Sequence, residues 1–423
     1  MGLLRKSIIP ITFALAAFSF TGNAREVVED YNRSSLYTIS IVNTGTTYGI
    51  TIVETMLQMQ HPDRFNDHNL SLRVVQSAGD PKEFKAAIDK FLIDNQIAKR
   101  MVSKWFNRDK STGAFDMELI RQRGHYNATA EDVILANNTI RGTAMLADAG
   151  EQLIGNSFVI VNDISYVDKE EKSMITAAVF QGLSYAASIA ASTSSSAGSS
   201  VGNMVSGIAS AVQSASTIGE AITKEIAGFT AIIHSYLYRL VWTDEVAGLF
   251  YKQYYYDSSA VDNAKKLAYE RDLTNFKLEY IGDYKAKSSK TVLKGLHNSS
   301  EVFNKVLTRT IDENIVKLQE EFPVFHVCAN IFKVTDDNKV HIHVGMKEGL
   351  KPSSKYEVLE RIESEDGTLS YRRVAMLSPA PDLIWDNRCY AVEEEADNAG
   401  LKYSTFNIVS GSGVSAGMLV REL

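Results

Sequence analysis

The chain has 423 residues, with 44 Lys and Arg against 51 Asp and Glu, for a formal net charge of −7. Hydrophobic residues make up 45% and charged residues 22%, proportions that exclude a disordered or collagen-like chain, and only seven prolines exclude a polyproline stalk. The acidic balance argues against a protein that coats nucleic acid, and the length predicts two or three domains.

Residues 1–24 read as a secretory signal peptide. Arg5 and Lys6 form a positive start, Ile8 to Phe20 an apolar run, and Gly22 and Ala24 the small residues before a cut that leaves Arg25 first. The apolar run is short for a membrane span, which sets cleavage above an uncleaved anchor. The expectation is an exported protein of the periplasm or outer membrane.

Residues 25–170 mix helix and strand patterns and form the first part of an α/β body. Asp80-Pro81 reads as a helix start, followed by one apolar face through Phe84, Ile88, Phe91, Ala98, Met101, Val102 and Trp105. A second helix is expected from Thr129 to Gly155-Asn156, with Asp132 at capping-box spacing. Phe158 to Val161 then reads as a buried strand.

Residues 171–232 stand apart. The 47 residues 173–219 contain no Asp, Glu, Lys or Arg. Val201, Val205, Ile208, Val212, Ala215, Gly219, Ile222, Ile226 and Phe229 recur at alternating spacings of four and three, a heptad seam. Ile175, Ala178, Gly182, Tyr185 and Ile189 form a shorter seam, and the Ser-rich stretch from Ser192 to Ser200 is a natural turn. The pattern predicts an inserted antiparallel helical hairpin, rich in Ala, Ser and Gly.

Residues 233–321 return to ordinary composition as the second part of the body. Ser235 to Trp242 and Phe276 to Tyr284 read as strands. Asp244 reads as the cap of a helix toward Tyr256, and Ser300 as the cap of a long helix carrying Val302, Phe303, Val306, Ile311, Ile315 and Leu318, closed by Pro323. Residues 322–423 read as a C-terminal all-β domain, a small barrel or sandwich. Its expected strands are Phe325–Val334, Val340–Val344, Tyr356–Ile362, Leu369–Leu377, Tyr390–Glu393, Phe406–Ile408 and Met418–Glu422, with turns at 336–338, 365–367 and 411–413. The fold class is therefore α+β.

The segments Pro62 to Asn69, Phe158 to Asp163, Ile384 to Asn387 and Gly417 to Glu422 together resemble a group of uncharacterised exported proteins from Bacteroidetes-type bacteria. The likeness runs over most of the mature chain, least in the charge-free tract, and implies a compartment but no mechanism. Val344 to Pro352 also resembles small β-domains of envelope assembly proteins.

Chemistry-bearing patterns are sparse. Gly413-x-Ser415-x-Gly417 matches a serine-hydrolase elbow, but no His follows it, and the overlapping Gly411-x-Gly413-x-x-Ala416 has no room for the helix a dinucleotide site needs. His341 and His343 fall on one strand face, with His326 the conceivable third zinc ligand; an unliganded face is the simpler reading. Asp63, Asn66, Asp67 and His68 are dense in donor atoms but also suit local turns. Glu363 and Glu365 flank a turn and read as solvated surface. Phe250, Tyr251, Tyr254, Tyr255 and Tyr256 read as core packing rather than a sugar platform. Cys328 and Cys389 are the only cysteines, so a disulfide of about 4 kcal/mol by chain entropy stands against two separate thiols. No catalytic residue, metal or cofactor is expected.

Three functions follow. The first is a non-enzymatic, structural or interaction protein of the cell envelope that self-associates through the hairpin or binds an envelope protein, without nucleic acid. The second is a membrane-inserting pore or translocation component using residues 173–229, since one crossing needs about 20 residues and Gly198 and Gly202 form a small-xxx-small pair. The third is an unrecognised hydrolase.

Overall fold

Alternating side chains along two central strands divide the body into layers. The computed structural model describes residues 34–42, 49–59, 65–66, 70, 74–76, 84–121, 153–168, 228–291, 299–363, 369–388, 391–392 and 396–423. Strand β1 (Ser34–Val42) turns Tyr37, Ile39 and Ile41 to one side and Leu36 and Val42 to the other, and all five are buried. Both faces are therefore covered, as parallel strands require. β1 pairs in parallel with β2 (Phe65–Asn66), β3 (Val74–Gln76) and β4 (Ser157–Asp168). β4 then pairs antiparallel with β5 (Gly228–Leu240), and β5 with β6 (Leu278–Thr291), completing a six-stranded mixed sheet.

One face packs against α2 (Phe84–Asp94) and α3 (Ile97–Trp105). The single amphipathic helix expected here is two helices, because Gln96 adopts a left-handed conformation with φ 51° and Asn95 turns its amide back to the Phe91 carbonyl. Beside them lies an aromatic core. Phe106, Phe115, Phe250, Tyr254, Tyr269 and Phe276 are buried together with edge-on ring contacts, so the aromatic run serves packing. Helices α4 (Asp244–Gln253) and α5 (Asn263–Arg271) carry part of it. The cap of α4 is Thr243 rather than Asp244: the Thr243 hydroxyl accepts from the Val246 amide, and Asp244 occupies the first turn, where its charge suits the helix dipole.

The opposite face packs against α1 (Gly49–Gln58) and the 23-residue α6 (Ser299–Glu321). Phe303, Leu307, Ile311 and Leu318 lie on the sheet, as their spacing predicts. Pro323 ends the helix in a 3-10 turn. Phe325, expected to open a strand, plugs this same body core 4.7 Å from the ring of Phe158, and the barrel starts only at Cys328.

The C-terminal residues close into a six-stranded barrel, ordered β10-β11-β8-β7-β12-β9. Its strands are β7 (Cys328–Val334), β8 (Lys339–Ile342), β9 (Tyr356–Glu363), β10 (Leu369–Pro379), β11 (Ser404–Gly411) and β12 (Leu419–Glu422). Ile331, Val340, Ile342, Tyr356, Val358, Leu377, Phe406 and Val420 fill the interior. The α+β class and the C-terminal barrel are thus as expected. Of the expected strand Tyr390–Glu393 the two described residues, Ala391 and Val392, lie in a turn, where the Ala391 amide donates to the Arg388 carbonyl and its carbonyl accepts from the Ala396 amide.

Two conspicuous sequence segments lock onto each other at the mouth of the barrel. Glu348, only 4% exposed, accepts from the Gly345 amide at 2.7 Å and the Asn387 side-chain amide at 2.9 Å, while Asn387 accepts from the Lys347 amide. Met346 donates to the Trp385 carbonyl. A side chain on Gly345 would collide with Asn387 and Trp385, so glycine is required there. The segments 344–352 and 384–387 are therefore one structural clamp. The next turn rests on α6, where Lys351 pairs with Glu320 at 3.0 Å.

Candidate functional site

The root of the inserted tract is defined on both sides. β4 and β5 pair from Phe158 opposite Arg239 to Asp168 opposite Phe229, and β5 and β6 from Leu240 opposite Leu278 to Gly228 opposite Thr291. Three strands run together to the last rung, and residues 169–227 connect β4 to β5 there. Phe229 is thereby a strand residue, not the last position of a helical seam, and the body resumes at Gly228 rather than 233. The four-three spacing ran past the true boundary because aromatic and branched residues serve helix seams and strands alike. Val201, Val205, Ile208, Val212, Ala215, Gly219, Ile222 and Ile226 lie outside the described residues, as does the signal segment 1–24. Among the described residues no helix is long and apolar enough to cross a membrane.

A polar network occupies the sheet face at this root, beyond α2. His234 on β5 lies between two partners. Its Nε2 is 2.5 Å from Asp283 Oδ2 on β6, and its Nδ1 is 2.8 Å from the Tyr236 hydroxyl. With Nε2–H donating to the carboxylate, Tyr236 donates to Nδ1, so both contacts fit one neutral tautomer. Tyr280 donates to the other Asp283 oxygen. Burial works to raise the Asp283 carboxyl, but the bonds from Tyr280 and His234 outweigh it and hold it below its ordinary value. Burial, reinforced by Asp163 and Asp283, pushes the Tyr236 hydroxyl well above the ordinary tyrosine range. The Tyr–His–Asp order resembles an activated-nucleophile relay, and burial keeps the proton on the Tyr236 oxygen. The arrangement can hold and share a proton.

Asp163 completes the row. It is the β4 partner of His234, which in turn lies opposite Lys285 on β6. Burial pushes the Asp163 carboxyl up to about 7, with Lys285 pulling the other way.

On the opposite face a buried trio ties α6 to the sheet. Asn314 donates to the Ile233 carbonyl at 3.0 Å and the Ser235 hydroxyl at 2.7 Å, and Ser235 donates to Asn162 at 2.5 Å. All three side chains are fully buried. The trio positions the helix.

The remaining sequence candidates do not converge. His341 and His343 share the outer barrel wall, but His341 stacks on Tyr403 with ring centroids 4.3 Å apart, and His343 lies 4.8 Å from Phe332. His326 instead faces the Glu422 carbonyl. Among the described residues no three His, Cys, Asp or Glu side chains are grouped to hold a metal ion. Ser415 sits in the loop entering β12, its carbonyl accepting from Met418. Asn66 ends β2, while Asp63, Asp67 and His68 lie outside the described residues, as do Glu365 and Cys389; Glu363 ends β9 and Cys328 opens β7.

His234, Asp283 and Asp163 carried no motif in the sequence. Their one local signal was polar residues at alternate positions of apolar strands, His234 before Tyr236 and Asp163 after Val161. No protein-family model matches the chain, and a search of curated proteins finds no match.

Proposed function

We propose that the protein is a non-enzymatic exported protein of the cell envelope that self-associates through the uncharged insert between β4 and β5. The observation that carries this reading is the unbroken pairing to Asp168 and Phe229. It holds the two ends of the insert one strand spacing apart, roughly 5 Å, on a supported ribbon. Such an anchor suits a helical hairpin, whose two arms must begin and end together. Two helices with a small-residue seam bury too little apolar area to offset their ordering, so the insert needs a further surface. A second copy supplies it with the same seam.

The test is the double variant Ile208→Asp with Val212→Asp in the full chain. Light scattering should report a monomer with unchanged circular dichroism. An unchanged mass rejects the reading. The 47 uncharged residues also favour a second reading, insertion into lipid. In that case the variant leaves the membrane fraction on flotation with phosphatidylcholine–phosphatidylglycerol vesicles.

A further inference from the structure

Asp163 is 8% exposed and makes no hydrogen bond to another described residue. Among the described residues, the strands and helix on this part of the sheet face contribute the following groups. β5 contributes His234 and Tyr236; β6 contributes Lys285, Asp283 and Tyr280. α2 contributes Lys85, 4.1 Å from the centre of the Tyr280 ring, and Asp89, which accepts from Tyr238. β1 places the uncharged Ile41 opposite. The cation in Asp163's own row is Lys285, on the far side of His234. Five rungs, Ile164 with Ile233 through Asp168 with Phe229, separate this row from the insert.

A neutral carboxyl costs less here than an ionised one. An ionised one needs water or a cation, and the row supplies neither within hydrogen-bond reach. Relief comes from movement in the five outer rungs, because the pairing of β4 with β1 ends at Ile164 and beyond it, among the described residues, β4 is paired with β5 alone.

We propose that Asp163 and His234 form a proton-operated clasp on the root of the insert. With Asp163 protonated the outer rungs of β4 and β5 stay closed. With Asp163 ionised they open more often, as the carboxylate turns toward water or Lys285. His234 keeps its place in either state because Asp283 and Tyr236 hold both ring nitrogens. The clasp concerns the root alone and stands whether the insert meets a second copy or lipid. Its placement near neutrality follows from the burial that raises the Asp163 carboxyl.

Hydrogen exchange on the full chain tests it, with peptides covering 164–168 and 229–233 followed from pH 5.5 to 8.5 and corrected for the intrinsic pH dependence of exchange. In the native chain the opening constant should rise about tenfold between pH 6 and 8, the response to the one unit of pH below the titration, and level above it. Asp163→Asn, which leaves a neutral group of the same size, should show a flat profile. Lys285→Met, at an exposed position, should move the rise to lower protection at every pH above 7. The proposal is overturned by a flat native profile, by an Asp163→Asn profile that keeps the rise, or by a rise of equal size in barrel peptides covering 328–334. A rise removed by His234→Gln but kept by Asp163→Asn also overturns it.

Discussion

Gly282 lies against the tip of the Phe322 ring, so close that a Cβ on Gly282 would collide with Phe322 Cζ. The contact pins the end of α6 to β6, next to the bulge where the β5–β6 register shifts between Leu237 and Tyr238. Gly282→Ala should destabilise the protein by about 1–3 kcal/mol in urea unfolding, the usual cost of overpacking. Adding Phe322→Ala should recover part of that loss, and strict additivity of the two would count against the contact.

Asp163 gives the body a pH dependence of definite sign. Its carboxyl titrates near 7 in the fold and near 4 in an unfolded chain. Between those values the native state holds the extra proton, so stability falls as pH rises from 4 to 7 and then levels. Asp163→Asn should gain on the native chain by on the order of 4 kcal/mol at pH 8 and by almost nothing at pH 4. Denaturant midpoints at the two values measure the difference.

Asn314 joins α6 to β5 by two donated bonds inside the core. Asn314→Ala removes both bonds and leaves a void, so a loss of about 2–4 kcal/mol is expected. Ser235→Ala should cost less, because Asn314 keeps its bond to the Ile233 carbonyl. Equal losses would show the trio does not work as described.

Glu348 satisfies two buried donors at the barrel mouth. Glu348→Ala should cost about 2–4 kcal/mol, and Asn387→Ala should add less on top of it than it costs alone, since the bond between the two is already gone and only the Lys347 bond is left to lose. A double-mutant cycle by thermal unfolding would expose any independence.

The layers were legible in the sequence where one period ruled. Phe303 to Leu318 and Phe158 to Val161 declare a helix face and a buried strand through spacing alone, and both occur. The break in the helix after Phe84 was not legible, because Gln96 takes a left-handed turn without being glycine or asparagine. Val392 looked like a strand residue, but its neighbour Ala391 spends both backbone bonds on a turn, and Val392 is 68% exposed. The His234–Asp283 pair is fixed by a register that includes a bulge, and no local pattern encodes the alignment of residues 49 positions apart.

Because β4 and β5 already meet at Asp168 and Phe229, their pairing is complete where residues 169–227 begin and end. The length of that tract is then nearly free: doubling a loop costs only about 0.6 kcal/mol in closure entropy. Replacing it with Asn-Gly would turn the pair into a tight hairpin with the same register. The tract can therefore lengthen, shorten or change composition under the demands of whatever it touches, while the scaffold that holds it evolves under the separate demand of staying folded.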